Sequence, residues 1–450
     1  MLTTPIFTRI MNEAEYGRYT VYSSWFSIVQ IIVSLNLAAG VYTRGLVKNE
    51  EDQDKFSSSM LGLSTVCILF WTVVYSFFHS AINQILDLST VLIIAMLVEI
   101  WATAAFQFWS NRERVNYRYK KLVALTLVYV ILRPVAAVIA ILHVNTNLQV
   151  EARVLSTVAI NVLLFSFLYF SVVKKGKQFF SKEYWLYALK FNIPLVPHYL
   201  SQIILNQSDR LMINSICGTS QTAYYSVAYT LASALQILNT SISGTMNPWI
   251  YKSLRDGTTK NIARYSYGIL LLIATSNFLV ITIAPEIMYI LAPSAYSAAL
   301  WVIPPVTASV YFMFLYNLFA TFEYYFEKTK FVMCASVVGA ILNIILNYIF
   351  IHKYGFLAAG YTTLVCYILY ACAHYYFMKK VCKKYMDGIV IYDIKRILSI
   401  GLLLIICSGI MMVLYNFIIL RYAILACILL IAYVNRNKIN ALFMAIKKTK

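Results

Sequence analysis

The chain has 450 residues, of which 61% are hydrophobic and only 12% charged, with a formal net charge of +19. Soluble domains average about 25% charged residues, so this composition excludes a soluble enzyme. The basic residues sit between apolar runs, which excludes nucleic acid as the reason for the charge. No glycine-rich phosphate loop, metal-ligand cluster or nucleophile elbow is present, so the sequence predicts no enzyme, no cofactor and no metal. The 8 cysteines form no CxxC pair and read as small apolar residues. Met1 to Phe7 is too short for the apolar core of a cleavable signal peptide.

Taken in chain order, apolar runs of bilayer-crossing length predict helices at 19–43, 57–79, 88–110, 122–143, 154–173, 187–215 and 222–249. They continue at 265–291, 298–322, 331–351, 356–378, 397–415 and 418–435. That makes about 13 complete spans after a fragment at 1–10, which reads as the end of a truncated first helix. Of the 37 Lys and Arg, 30 fall in alternate loops and 5 in the opposite set. This positive-inside bias places the C-terminus in the cytoplasm.

Residues 10–32 read IMNEAEYGRYTVYSSWFSIVQII and residues 216–238 read ICGTSQTAYYSVAYTLASALQIL. At a fixed offset of 206 they share Ile10/Ile216, Tyr19/Tyr225, Val21/Val227, Ser27/Ser233, Gln30/Gln236 and Ile31/Ile237. Six spans fit in one repeat, and an even number returns the chain to the same side. The expected architecture is an all-α polytopic membrane protein of two pseudo-symmetric six-helix bundles plus two C-terminal helices. The lobes run 1–178 and 179–384, with the last pair and a cytoplasmic tail in 385–450. A substrate path is expected between the two lobes.

Polar side chains in hydrocarbon cost free energy unless they face protein or water. On 19–43, Tyr19, Ser23, Ser27, Gln30 and Ser34 share one helical face, and Tyr225, Tyr229, Ser233, Gln236 and Thr240 repeat it on 222–249. Such a face serves either as glue between packed helices or as the wall of a wet cavity. The span 187–215 carries Pro194 and Pro197, which should bend it. Beyond the bend come His198, Gln202, Asn206, Asp209 and Arg210. Asp209 and Arg210 are either structural, as an ion pair or with Arg210 snorkelling to the interface, or functional, with Arg210 contacting an anionic group while Asp209 sets its position or titrates. Glu99 and Arg133 lie deep in their spans and either neutralise one another or leave Glu99 to carry a proton. His143, His198 and His352 read as structural.

Four segments carry a family resemblance: TPIFTRIMNEAEYGRYTVYSS at 4–24, FNIPLVPHYLSQIILNQSDRLMINSICGTSQTAYYSVAYTLAS at 191–233, MNPWIYKSL at 246–254, and EKTKFVMCASVVGAILNIILNYIFIHKYGFLAAGYTTL at 327–364. Together they resemble the oligosaccharide flippase branch of the multidrug/oligosaccharidyl-lipid/polysaccharide exporter superfamily. The resemblance implies alternating access in a bacterial cell (inner) membrane. It implies transport of a polyprenyl-pyrophosphate-linked glycan to the outer leaflet for O-antigen of lipopolysaccharide, capsule or a related polysaccharide. The family's seventh-helix Asp-Arg falls on Asp209 and Arg210.

On this reading Arg9, Arg133 and Arg210 hold phosphates, and Tyr225 and Tyr229 stack on sugar rings. Tyr19, Ser27, Gln30, His198, Gln202, Asn206 and Gln236 line the cavity, and Glu99, Asp209 or Glu286 binds a coupling ion. Membrane lipids, a polysaccharide polymerase and glycosyltransferases are the expected partners, with no nucleic acid. A multidrug or cation exporter of the same superfamily and a non-transporting scaffold of an assembly complex are the alternatives.

Overall fold

The computed structural model describes residues 3–436, and among these there is no strand. The first half comprises α1 (Thr4–Ile10), α2 (Glu13–Ser34), α3 (Val41–Lys48), α4 (Gln53–Leu86), α5 (Thr90–Val115), α6 (Tyr119–Leu142), α7 (Gln149–Gly176) and α8 (Lys182–Asn192). The second comprises α9 (Val196–Cys217), α10 (Thr219–Arg255), α11 (Lys260–Thr282), α12 (Ala284–Leu291), α13 (Ile303–Tyr325), α14 (Thr329–Tyr354), α15 (Leu357–Tyr385), α16 (Ile394–Val413) and α17 (Ile418–Val434). Nine helices of the described residues are long and apolar enough to cross a membrane: α4 to α7, α11, α13 to α16. The long helices α2, α9 and α10 are more polar, and α17 is apolar but shorter. Every expected span is therefore met by a helix, and the chain is a multi-pass membrane protein. The expected tail lies, from 437 onward, outside the described residues.

Four spans break, three of them where no break was expected and 187–215 at its expected bend. The helix expected over 19–43 ends at Ser34, where Leu35 and Asn36 take the left-handed conformation (φ 50° and 51°), and resumes as α3. The span 187–215 is α8 and α9 joined by a 3-10 turn at Ile193–Leu195, where Pro194 sits. The span 265–291 divides at Ile283, just before Pro285, into α11 and α12. The span 298–322 begins as the 3-10 helix Ser294–Val302 and becomes α13 at Ile303, ahead of Pro304 and Pro305. A broken helix frees backbone carbonyls, which must find partners where there is no water. They do: Asn192 Nδ2 donates to the Leu35 carbonyl (2.6 Å) and Asn111 Nδ2 to that of Ala38 (2.6 Å). Arg421 Nη1 donates to Thr282 (3.0 Å), Tyr415 Oη to Ile281 (3.2 Å) and Thr8 Oγ1 to Leu291 (2.7 Å).

Contacts divide the chain into two compact units, Arg9–Leu211, and Met1–Thr8 together with Met212–Lys450. In the first, α3, the start of α4, the end of α5 and α8 enclose a core of Tyr42, Leu46, Phe56, Met60, Phe108 and Ala188. Tyr42 stands edge-on to Phe108 (4.7 Å), and its hydroxyl shares a 2.7 Å hydrogen bond with Ser57. Backbones here approach closely because the contacts are made by glycine. A Cβ on Gly62 would lie 2.1 Å from the Phe179 carbonyl oxygen, and one on Gly176 2.2 Å from that of Asp54. Association inside lipid depends on such van der Waals fit, since lipid tails are as apolar as the side chains. In the second unit α13 is the central helix, packed by α10, α11, α15 and α16. Tyr311, Phe314, Phe319 and Phe322 of α13 are fully buried.

Candidate functional site

The polar face of α2 is half-buried at Tyr19, Ser27 and Gln30. Its hydroxyls fold back on their own helix: Ser27 Oγ donates to the Ser23 carbonyl (3.0 Å) and Ser34 Oγ to that of Gln30 (2.6 Å). Such bonds satisfy a hydroxyl in an apolar surrounding without a partner helix. Tyr19 carries the Arg153 guanidinium 3.4 Å above its ring, a cation–π contact.

The matching face of α10 is arranged differently. Tyr225 is fully buried and Tyr229 is 5% exposed. Their rings stand 5.9 Å apart, and Gln236 Nε2 donates to the Tyr229 hydroxyl (3.1 Å). Both tyrosines therefore pack inside their unit in this structure. Of the named face only Thr240 is exposed.

Glu99 and Arg133 are brought together, with Arg133 Nη2 3.1 Å from Glu99 Oε1. The carboxylate, 5% exposed, also accepts from Asn161 Nδ2 (3.2 Å) and from the Tyr22 hydroxyl (2.9 Å). Tyr22 and Asn161 were missed by sequence reasoning. Tyr22 lies one residue before the α2 stripe at Ser23, and Asn161 is a lone amide in an apolar run of α7; the rule that intramembrane amides seek partners is the signal that finds Asn161.

On α9 the polar residues form a chain of hydrogen bonds. Asn206 Nδ2 donates to the Gln202 carbonyl (2.8 Å), and Arg210 Nη1 donates to the Asn206 carbonyl (2.8 Å) and to Gln207 Oε1 (3.0 Å). Gln207 Oε1 also accepts from Ser24 Oγ of α2 (3.2 Å). Asp209 is 1% exposed, Arg210 half-buried, and the half-buried His198 has no hydrogen-bond partner at Nδ1.

Glu286 sits apart from these, at the start of α12. Arg421 grips it through two parallel bonds of 2.8 Å, and the Tyr422 hydroxyl adds a third at 3.2 Å. Partial burial pushes its carboxyl upward, but the Arg421 bonds and charge outweigh that and hold it below its ordinary value. Arg9 is exposed at the end of α1.

Long apolar helices carrying buried charges and amide chains define a polytopic helical membrane protein. The chain belongs to the polysaccharide biosynthesis protein family, which matches residues 1–254. It is 21% identical to protein 1 of the Lsg locus of Haemophilus influenzae over 373 residues, 76% of this chain and 84% of that protein. Among solved structures it shares the fold of the lipid II flippase MurJ in an inward closed conformation, with a TM-score of 0.72 at 17% identity over 97% of this chain and 98% of that one. It likewise resembles an inward-facing multidrug resistance MATE family transporter of the MOP superfamily, with a TM-score of 0.63 at 10% identity over 86% and 99%.

Proposed function

We propose that this protein flips a polyprenyl-pyrophosphate-linked oligosaccharide from the inner to the outer leaflet of a bacterial inner membrane, for assembly of a surface polysaccharide. The observation that carries the reading is the character of α2, α9 and α10. They are 22, 22 and 37 residues long, yet too polar to count among the apolar spans. A polar glycan crossing about 30 Å of hydrocarbon needs hydrogen bonds throughout, and such stripes supply them where they are not spent on packing between helices. The polysaccharide biosynthesis family and the fold shared with a lipid-linked flippase support the same assignment.

In the proposed mechanism no covalent bond is made or broken. The polyprenyl tail stays in lipid while the head meets the polar face of α2 and the amide chain of α9. Arg210 binds the pyrophosphate by charge-assisted hydrogen bonds, at the half-buried end of a chain that begins at Gln202. Arg133 is a second anion contact only if Glu99 releases it, and Glu99 and Asp209 are the coupling-ion sites this scheme offers. The lobes are assigned as 1–178 and 179–384, with 385–450 appended and the C-terminus in the cytoplasm. A polymerase and glycosyltransferases supply and consume the glycan.

Complementation of a flippase-deficient strain tests the assignment. Arg210→Ala at matched membrane expression is expected to reduce surface glycan by tenfold or more, on the order of the 1.4 kcal/mol or greater that one charge-assisted contact contributes. Full glycan production by that variant removes Arg210 from the mechanism. The mixed signs of Glu99, Arg133, Asp209 and Arg210 disfavour export of cationic drugs, which calls for an acidic aromatic site.

A further inference from the structure

Glu323 of α13 and His374 of α15 are used by none of this. Both side chains are fully buried, at 0% exposure, with Glu323 Oε1 2.8 Å from His374 Nδ1. Glu323 Oε2 and His374 Nε2 have no hydrogen-bond partner. The imidazole is stacked against Tyr316 (5.5 Å between centroids) and meets Tyr370 edge-on (4.6 Å). The Tyr370 hydroxyl shares a 2.7 Å bond with Ser336 of α14. The titratable groups facing the pair are Tyr316 and Tyr324 on α13, Tyr367 and Tyr370 on α15, and Tyr251 of α10 beyond Tyr324. Tyr375 and Tyr392 reach Phe319, and Tyr392 also reaches Phe322, rather than the pair.

Two arrangements of this pair are electrically neutral: carboxylate with imidazolium, and carboxylic acid with neutral imidazole. Each holds one dissociable proton. Removing it leaves a net negative charge in a dry site, and adding another leaves a net positive one; both are disfavoured where water cannot solvate them. Unpartnered polar atoms in a buried site call for a reason, and each of these two could take a hydrogen bond from or to water.

We infer that Glu323 and His374 form a proton-binding site that holds one proton when sealed and releases it when hydrated. On release the proton passes to water, leaving a carboxylate beside a neutral imidazole. The site deepens the flippase reading and rests on it only for the use made of the proton, which is to couple transport to a pH gradient.

Proton uptake by the purified full chain in detergent tests the site. Titrated over the pH range in which the folded chain is stable, the wild type is expected to release one proton per molecule more than the Glu323→Gln/His374→Gln double variant. Equal proton counts overturn the site. A second measurement needs no variant: hydrogen-exchange protection of 316–324 and 370–376 in the wild type, with the intrinsic base-catalysed pH dependence of amide exchange divided out, is expected to fall with pH over that range, and pH-independent protection overturns the site. Proteoliposomes with a fluorescent polyprenyl-pyrophosphate disaccharide separate the two claims. If the wild type leaves the probe unmoved while the proton count holds, the flippase reading fails and the proton site stands. If the wild type and the double variant respond equally to an imposed pH gradient, the coupling role is overturned.

Discussion

The two copies of the internal repeat start alike and end differently. α2 begins at Glu13 and α10 at Thr219, the same offset of 206 that aligns their sequences. α10 then runs unbroken for 37 residues, even through Pro248, to Arg255. The first copy stops at Ser34, turns through two left-handed residues and restarts as α3, which ends at Lys48. Local sequence tolerates the break, through Asn36 in the left-handed turn and Gly40 at the restart, but holds no Pro to force it. What permits it are the amides of Asn111 and Asn192, which take the carbonyls it frees. In the second copy the nearby amide, Asn239, instead donates to the Val310 carbonyl of α13 (2.8 Å). Helix continuity inside a bilayer is thus set by neighbouring side chains as much as by the sequence of the helix itself.

Exchanging residues between the copies gives the largest expected effect. Gly45 of α3 corresponds to Tyr251 of α10 at offset 206. A Cβ at Gly45 would lie 2.1 Å from Phe56 Cζ, whereas Tyr251 has room to lie 5.5 Å from Tyr325. Gly45→Tyr is expected to cost more than the ~3 kcal/mol of ordinary overpacking and to abolish the monodisperse peak in size-exclusion chromatography. A normal peak would show that α3 is not seated as described.

A smaller contrast compares the two amides. Asn192→Ala leaves the Leu35 carbonyl without its bond and should lower stability by about 1–3 kcal/mol, the cost of an unsatisfied buried group. Asn239→Ala leaves a carbonyl inside α13 that keeps its in-helix donor, so about 1 kcal/mol or less is expected. Thermal unfolding in detergent measures both, and equal losses would mean that the break is not held by Asn192.

The smallest effect concerns how breaks are held. The amides at 35–40 do not titrate, but the break at Ile283 is held by Arg421 braced on Glu286. The Glu286 carboxyl is held below its ordinary value, so this contribution is complete above the ordinary carboxylate range. It is lost as pH falls through the lowered folded value. With the intrinsic pH dependence of amide exchange divided out, hydrogen-exchange protection of 414–425 is expected to fall on acidification, while that of 35–40 stays constant. In Glu286→Gln the acid dependence should vanish, and if it persists another group is responsible.

The spans, the repeat and the break beside Pro194 were legible because each rests on composition or on a residue that forces local geometry. The breaks at 35–40 and 283 were not, in the first case because the decisive groups, Asn111 and Asn192, are remote in sequence. The Glu99–Arg133 pair could be weighed from the sequence, since two opposite charges in apolar helices have few other partners. Its Tyr22 and Asn161 bonds depend on how α2 and α7 are rotated, which periodicity alone does not fix. Glu323 and His374 escaped notice for the same reason: they lie 51 residues apart on separate helices.

The apolar stretches of α6 and of Ser294–Tyr325 differ sharply in cover: 11% of the first is buried against 78% of the second. Strain from a bilayer of unsuited thickness falls on surfaces that touch acyl chains. α6 therefore meets a thicker or thinner bilayer directly, by tilting or by deforming its annular lipid. α13 is screened from that adjustment, so the geometry around Glu323 is buffered against changes in lipid composition.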